Sequence, residues 1–267
     1  MRDFTSDTLR HLLSSFISAG YSFATVAGYR HDPVTPAVIL RHDVDARPGN
    51  AMECARMESG MGITGSYYFR TVPGSFDEHV IREISRLGHE IGYHYEDLAA
   101  TKGDYEKAIR LFEENLAKLR RLAPVESICM HGSPLSRHDN RKLWERYSYG
   151  DFGINAEVYL DTDFRKVHYL TDTGRRWNGD RYSVRDRVPA DAGTGTKEND
   201  RKKEPGVAEY RYRSTFDIIK AAETRTLPPV IMMTLHPQRW NNSFLPWIYE
   251  IAWQNTKNVV KRILTTF

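Results

Sequence analysis

Four apolar, strand-length runs in this chain each finish on an aspartate or a histidine, and that repetition constrains the fold more than any other feature. Ala37-Val38-Ile39-Leu40 leads through Arg41-His42 into Asp43-Val44-Asp45. Gly88-His89-Glu90-Ile91-Gly92-Tyr93 ends at His94, Ser127-Ile128-Cys129-Met130 ends at His131, and Val230-Ile231-Met232-Met233-Thr234-Leu235 ends at His236. One such ending is ordinary. Asp43 and Asp45 could simply cap the helix that Arg47-Pro48-Gly49-Asn50 opens, and a histidine after a strand commonly only hydrogen-bonds within its loop. Four endings share one explanation in a parallel β/α barrel, where all strand C-termini open on the same face and sequence-distant groups meet there.

The first run carries its own chemistry. In an extended backbone residues i and i+2 project to the same side, so the carboxylates of Asp43 and Asp45 converge. Converging carboxylates repel unless a cation or a proton sits between them. The spacing therefore points to a metal-assisted acid/base site at the end of that strand.

Between the strands the periodicity is helical, as a parallel sheet requires. Ser75-Phe76-Asp77-Glu78 fits a capping box, Phe76, Val80, Ile84 and Leu87 follow a helical period, and Gly88 stands where a C-terminal cap belongs. From Asp104 to Leu122, apolar residues recur at Tyr105, Ala108, Ile109, Phe112, Leu116 and Leu119, with charged residues at the other positions. Further helices are predicted at Leu9 to Ile17, Ala51 to Glu58 and Thr215 to Ala222. Further strands are predicted at Ile63 to Phe69, Tyr149 to Ile154 and Val167 to Leu170. Alternation of this kind predicts an α/β fold, a β/α barrel.

A length of 267 residues suits one such barrel. The net charge of +3 is nearly balanced and its cations are dispersed, which argues against nucleic-acid binding. Two cysteines, Cys54 and Cys129, are too few for a disulfide framework and are expected as buried thiols. The first residues lack the apolar core of a signal peptide, and no run reaches the ~18 apolar residues that would span a bilayer. A cytoplasmic, reducing setting is the resulting expectation. Residues Asp191 to Gly206 carry almost no apolar side chain and read as a surface loop in preference to a lid.

The ordered series Asp43-Val44-Asp45, Gly88-His89-Glu90-Ile91-Gly92-Tyr93-His94, Tyr169-Leu170-Thr171-Asp172-Thr173 and Leu235-His236 resembles the motif series of the NodB-type polysaccharide deacetylases, carbohydrate esterase family four. The resemblance spans roughly residues 36–240, and its most specific piece is Gly-His-Glu-Ile-Gly leading into a histidine. It implies a distorted (β/α)7 barrel in a single domain, with 1–35 as an N-terminal helical extension and 241–267 as a C-terminal helix packing on the barrel. It also implies one divalent metal and hydrolysis of an N-acetyl or related amide on a sugar. Two departures stand out. The family's second metal histidine, four residues after the first, is Leu98 here, and its Arg-Pro motif is replaced by Met130-His131-Gly132-Ser133-Pro134. Glu96 and Asp97 lie near enough to supply the missing ligand, but His131, at the end of the next strand, is preferred. Arg41 is a candidate for the missing partner of the base.

Carried over by residue, the resemblance implies Asp45, His94 and His131 as metal ligands, a mixed set that suits Zn²⁺ and tolerates Co²⁺, Ni²⁺ or Mn²⁺. Asp43 is the expected general base and His236 the general acid, with Asp172 orienting the imidazole in competition with Asp161 and Asp163. Arg41, Tyr93, Tyr95, Trp177, Arg239 and Trp240 are the candidate substrate contacts, since aromatic faces stack on sugar rings and guanidinium groups match anions; Arg175 and Arg176 are further cations of that kind. The expected substrate is an N-acetylated sugar, free or linked to a nucleotide or a lipid. Two other readings stand beside it: a sugar-binding homologue without catalysis, and an amidohydrolase acting on a small non-sugar amide.

Overall fold

The computed structural model describes residues 2–132, 136–175, 177, 210 and 212–252. In chain order the elements are α1 (Ser6–Ser18), β1 (Ser22–Ala24), α2 (Val26–His31), β2 (Ala37–Val44), α3 (Pro48–Ser59), β3 (Ser66–Phe69), α4 (Glu78–Arg86) and β4 (Glu90–Tyr95). They continue through α5 (Asp97–Ala100), α6 (Tyr105–Arg120), β5 (Val125–Met130), β6 (Ala156–Glu157), α7 (Val158–Asp161), β7 (His168–Thr171), α8 (Thr215–Glu223) and β8 (Val230–Leu235), followed by a helix over 244–252, α9.

Seven strands form one parallel sheet in the order β6-β5-β4-β3-β2-β8-β7, curled into a distorted (β/α)7 barrel. Chain-distant β2 and β8 are neighbours, with Ala37 to His42 in register with Val230 to Leu235. Strand β1 adds to the same side of β2 as β3 but lower down, pairing with Ala37 to Ile39 where β3 pairs with Arg41 to Val44. Residues before 36 therefore contribute a strand to the sheet as well as helices. All eight residues of β2 and all six of β8 are buried, as expected where helices cover a parallel sheet.

Local sequence accounts for most element ends. Asp104 caps α6 through Lys107 N, Ser214 and Asp217 form the capping box of α8, and Gly88 takes a φ of +90° just past α4. The cap of α4 differs from expectation: Asp77, not Ser75, accepts from Val80 N. Ser75 is fully buried, accepts from Arg70 N and donates to the carbonyl of Val44, so it ties the end of β2 to the loop after β3. The strand expected at Tyr149 to Ile154 is a 3-10 turn, Tyr149–Phe152, capped by Ser148 and closed by Gly153 at φ +66°. Two glycines in six residues favour that turn over a strand, and the sheet resumes at β6. Residues Asp191 to Gly206 lie outside the described residues.

Inside the barrel the alternation of each strand sorts side chains into two sets. Glu90, Gly92 and His94 of β4 face inward, as do Arg41 and Asp43 of β2, Tyr68 of β3 and Ser127 of β5; at the lower end Tyr68, Ser127 and Glu90 are joined by hydrogen bonds. Gly92 is required there, because a Cβ would lie 2.3 Å from the Tyr68 ring. Outward residues meet the helix layer: His42 stacks on Tyr67 at 4.1 Å and pairs with Glu58 of α3 at 2.8 Å. No helix among the described residues is long and apolar enough to cross a membrane.

Candidate metal centre

At the C-terminal ends of the strands, β2, β4, β5 and β8 bring Asp43, Asp45, His94, His131 and His236 into one cluster. Asp45, one residue past β2, is its hub. Its Oδ1 lies 3.7 Å from His94 Nε2 and 3.6 Å from His131 Nε2, and its Oδ2 lies 3.8 Å from His236 Nε2. Asp43 Oδ2 is 3.7 Å from His94 Nε2 on the deeper side. Three imidazole nitrogens thus converge on one carboxylate.

Each imidazole is held from behind by its other nitrogen. His94 Nδ1 lies 2.9 Å from the carbonyl of Cys129, His131 Nδ1 lies 2.8 Å from Glu96 Oε2, and His236 Nδ1 lies 2.6 Å from Asp172 Oδ1. Since carbonyl and carboxylate oxygens only accept, these contacts assign the proton to Nδ1 in His94 and His131. His236 Nδ1 also lies 2.9 Å from the donor Arg239 Nη1, and its shorter contact with Asp172 is the one that favours a proton there. In the neutral ring Nε2 then presents a lone pair to the cluster. Carboxylate or carbonyl support of this kind fixes ring orientation at metal sites.

The donor set fits a divalent cation. Asp45 Oδ1 is a buried oxygen without a hydrogen-bond donor, placed between two imidazole lone pairs. Ligands ~2.0–2.1 Å from a tetrahedral cation stand ~3.4 Å apart, close to the observed spacings. Asp45, His94 and His131 have donor atoms all within 4.8 Å of one another; Asp43, His94 and Cys129 meet the same limit deeper in the barrel. Burial would raise the Asp45 carboxyl, but His131, His236, His94 and Arg239 together draw it below the ordinary carboxylate range. Burial lowers His94, which favours its neutral, ligating form.

Two Arg–carboxylate–His relays flank Asp45. In the first, Arg239 Nη1 donates to Asp172 Oδ1 at 2.6 Å, and Asp172 also accepts from His236 N and Trp240 Nε1. Burial alone would raise Asp172, yet Arg239 and His236 lower it to about 2. Burial and Arg239 oppose the charged form of His236, but Asp172 and Asp45 outweigh them and raise its pKa. In the second, Arg70 forks onto Glu96 Oε1 at 3.0 and 2.6 Å, and Glu96 meets His131. Burial opposes this pairing, but the His131 and Arg70 contacts bring Glu96 down to about 2.

Of the alternatives for a third ligand, Glu96 thus backs His131, and Asp97 turns away to accept from Tyr93 OH and Asn115. Arg41 is fully buried and grips Asp43 with two bonds, at 2.8 and 2.6 Å, while also reaching Tyr159 OH. Asp161 instead accepts from Tyr149 OH and Glu157 N and pairs with Arg30, and Asp163 pairs with Arg165.

The aromatic substrate candidates are not at the cluster. Tyr93 and Tyr95 flank His94 in β4, so they point to the opposite side of the sheet, where Tyr93 meets Asp97 and Asn115 and Tyr95 meets Glu157. Trp177 is buried, donates to Thr215 Oγ1 and stacks on Phe4. Trp240 and Arg239 are buried behind His236 as donors to Asp172, and Arg41 sits beneath Asp43. Arg175 donates to the Arg239 carbonyl, and Arg176 lies outside the described residues. Sequence reasoning missed Arg70, and it missed Asn140, whose amide bridges the His131 carbonyl and Ala99 N and so fixes the loop carrying His131.

No protein-family model matches the chain, and no curated protein matches it. Among solved structures, the crystal structure of a CE4 family pseudoenzyme from Bacillus anthracis is similar over 84% of this chain, with 13% identity and a TM-score of 0.41. The chain covers 62% of that structure's length, less than two thirds.

Proposed function

We propose that this protein is a metal-dependent amide hydrolase that removes an N-acetyl or related acyl group from a sugar precursor. The observation that carries the reading is the convergence of two oriented imidazole lone pairs, from His94 and His131, on the unpartnered oxygen of Asp45, with His236 at its other oxygen and a guanidinium-held carboxylate, Asp43, beside them. Asp45, His94 and His131 would hold the cation, a set suited to Zn²⁺. When bound, the cation supplies Lewis acidity, polarising the acyl carbonyl and lowering the pKa of water from 15.7 towards ~7.

The chain's own groups supply the proton transfers. Water adds to the carbonyl carbon and gives its proton to Asp43, whose oxygens each keep a lone pair beyond the one Arg41 occupies. As the C–N bond breaks, the amine nitrogen takes a proton from His236 Nε2. Asp172 holds Nδ1–H and stabilises the charged ring beforehand. The Arg239–Asp172 relay orients the proton-donating ring of His236, and the Arg70–Glu96 relay orients His131.

A second reading, a small non-sugar amide as substrate, is favoured by the turning away of Tyr93, Tyr95, Trp177 and Trp240, which leaves none of these rings to stack on a sugar. Elemental analysis of the purified protein, combined with amine and acetate release from free, nucleotide-linked and lipid-linked N-acetylated sugars and from small cyclic and linear amides, separates the two. Asp43→Asn is expected to keep its metal and lose turnover by ~10²–10⁴-fold. A metal-loaded protein that hydrolyses no amide in the panel would leave the non-catalytic sugar-binding reading in possession.

A further inference from the structure

Helix α9 presents an apolar face to solvent. Phe244, Leu245, Ile248 and Tyr249 are 57, 76, 45 and 58% exposed, and their spacing makes one stripe. They are four of the eight large hydrophobic side chains exposed among the described residues. Single exposed side chains of this kind are common, but a run of four on one helix is a patch. The other face anchors the helix: Trp247 Nε1 donates to the Asp3 carbonyl at 2.8 Å, and Glu250 is buried.

Cations border the stripe. The Arg2 guanidinium lies 5.5 Å from the Phe244 ring and 5.1 Å from the Trp247 ring, and Arg47 lies 5.8 Å from the Tyr249 ring. Both arginines are exposed. Asp7, held by Asn242, is the carboxylate at the edge. From Asn241 to Phe267 the sequence has one acidic residue, the buried Glu250, against Lys257, Lys261 and Arg262. The patch also adjoins the metal centre's end of the barrel. Arg47 follows Asp45 by two residues, and Arg175, three beyond Asp172, packs 5.4 Å from the Trp247 ring.

We propose that α9 seats the protein on an anionic lipid surface, its aliphatic and aromatic stripe entering the boundary between headgroups and acyl chains while Arg2 and Arg47 meet lipid phosphates. An apolar stripe flanked by cations is the composition of helices that lie in a membrane interface. A second copy of the chain fits less well, because a two-fold contact through this stripe would bring four arginines, Arg2 and Arg47 of each copy, together with only the Asp7 carboxylate of each copy at the edge, already held by Asn242. Catalysis is not needed for this inference, and the two fail separately.

Sedimentation of the full chain with vesicles tests it. Wild type is expected to partition onto phosphatidylcholine vesicles containing about one-third phosphatidylglycerol at least ~10-fold better than onto phosphatidylcholine alone, with the difference shrinking in high salt. The triple variant Phe244→Ser, Leu245→Ser, Ile248→Ser is expected to lose ~10-fold or more of that binding while its metal content and melting temperature stay unchanged. Binding that survives in the triple variant, or equal binding to both vesicle types, overturns the proposal. So does a wild-type dimer that the variant converts to monomer without any vesicle binding, which would assign the stripe to a second copy.

Discussion

At the scale of single residues, Asp45 is the side chain around which the others are arranged, and His131 is the one whose assignment departs from the family pattern. His131→Ala removes an imidazole lone pair from Asp45 Oδ1, so the purified variant is expected to carry little metal by elemental analysis. Glu96→Gln leaves that ring in place but weakens its support, and an affinity loss of ~10–100-fold in metal titrations is expected. Full metal in His131→Ala would remove it from the ligand set. His236 has a different signature, because protonating a leaving group matters less when that group leaves easily. His236→Ala is expected to lose far more rate on an N-acetylated sugar than on an activated aryl acetate, with metal content unchanged; equal losses on the two would end its assignment as acid. Much of this cluster was legible because each member directly follows or ends an apolar run. The period-2 rule that joins Asp43 to Asp45 also places Arg41 with them, and it excludes Tyr93 and Tyr95 once His94 faces inward, so those two tyrosines were misread against an available signal. Arg70 and Glu96 as supports of His131 were not legible, since 26 and 35 residues separate the contacting pairs and only the folded barrel joins them.

At the scale of elements, long periodic segments read correctly and short irregular ones did not. Helices α4, α6 and α8 and strands β4, β5 and β8 follow from hydrophobic spacing and flanking caps. Strand β6 has two residues and β1 has three, too few to establish a period, and both are strands because a neighbour offers a ladder. Gly92 shows how one residue links element to site. It leaves room for the Tyr68 ring inside the barrel, two residues before His94 on the same face of β4. Gly92→Ala is therefore expected to cost ~1–3 kcal/mol in urea unfolding, since the added methyl overlaps ring carbons in a packed interior. On a Tyr68→Ala background the same substitution should cost much less, because the clash has been removed. Additive costs in the two backgrounds would show that the ring is not what the glycine accommodates.

For the molecule as a whole, the connection between barrel and site runs through buried charge, and Asp172 shows its sign. This carboxylate is fully buried between β7 and the turn after β8 and accepts from four donors on His236, Arg239 and Trp240. Its pKa of about 2 lies below the ordinary 3.8. Between these values the unfolded chain binds the proton and the folded chain does not, so stability rises with pH across that window. The contribution, ~2 kcal/mol, is complete above pH ~4 and is lost as the pH falls through about 2. Asp172→Asn lacks this group at every pH and leaves Arg239 buried without its anion. It is expected to be less stable than wild type at pH 7, with the gap narrowing only below pH ~4. Urea midpoints measured for both proteins from pH 7 downward, in the presence of a chelator so that metal linkage does not enter, provide the check. A gap that stays constant to the lowest pH at which both proteins fold would mean that the relay is held by shape and hydrogen-bond geometry alone. His236 would then owe its raised pKa to Asp45 rather than to the carboxylate behind it.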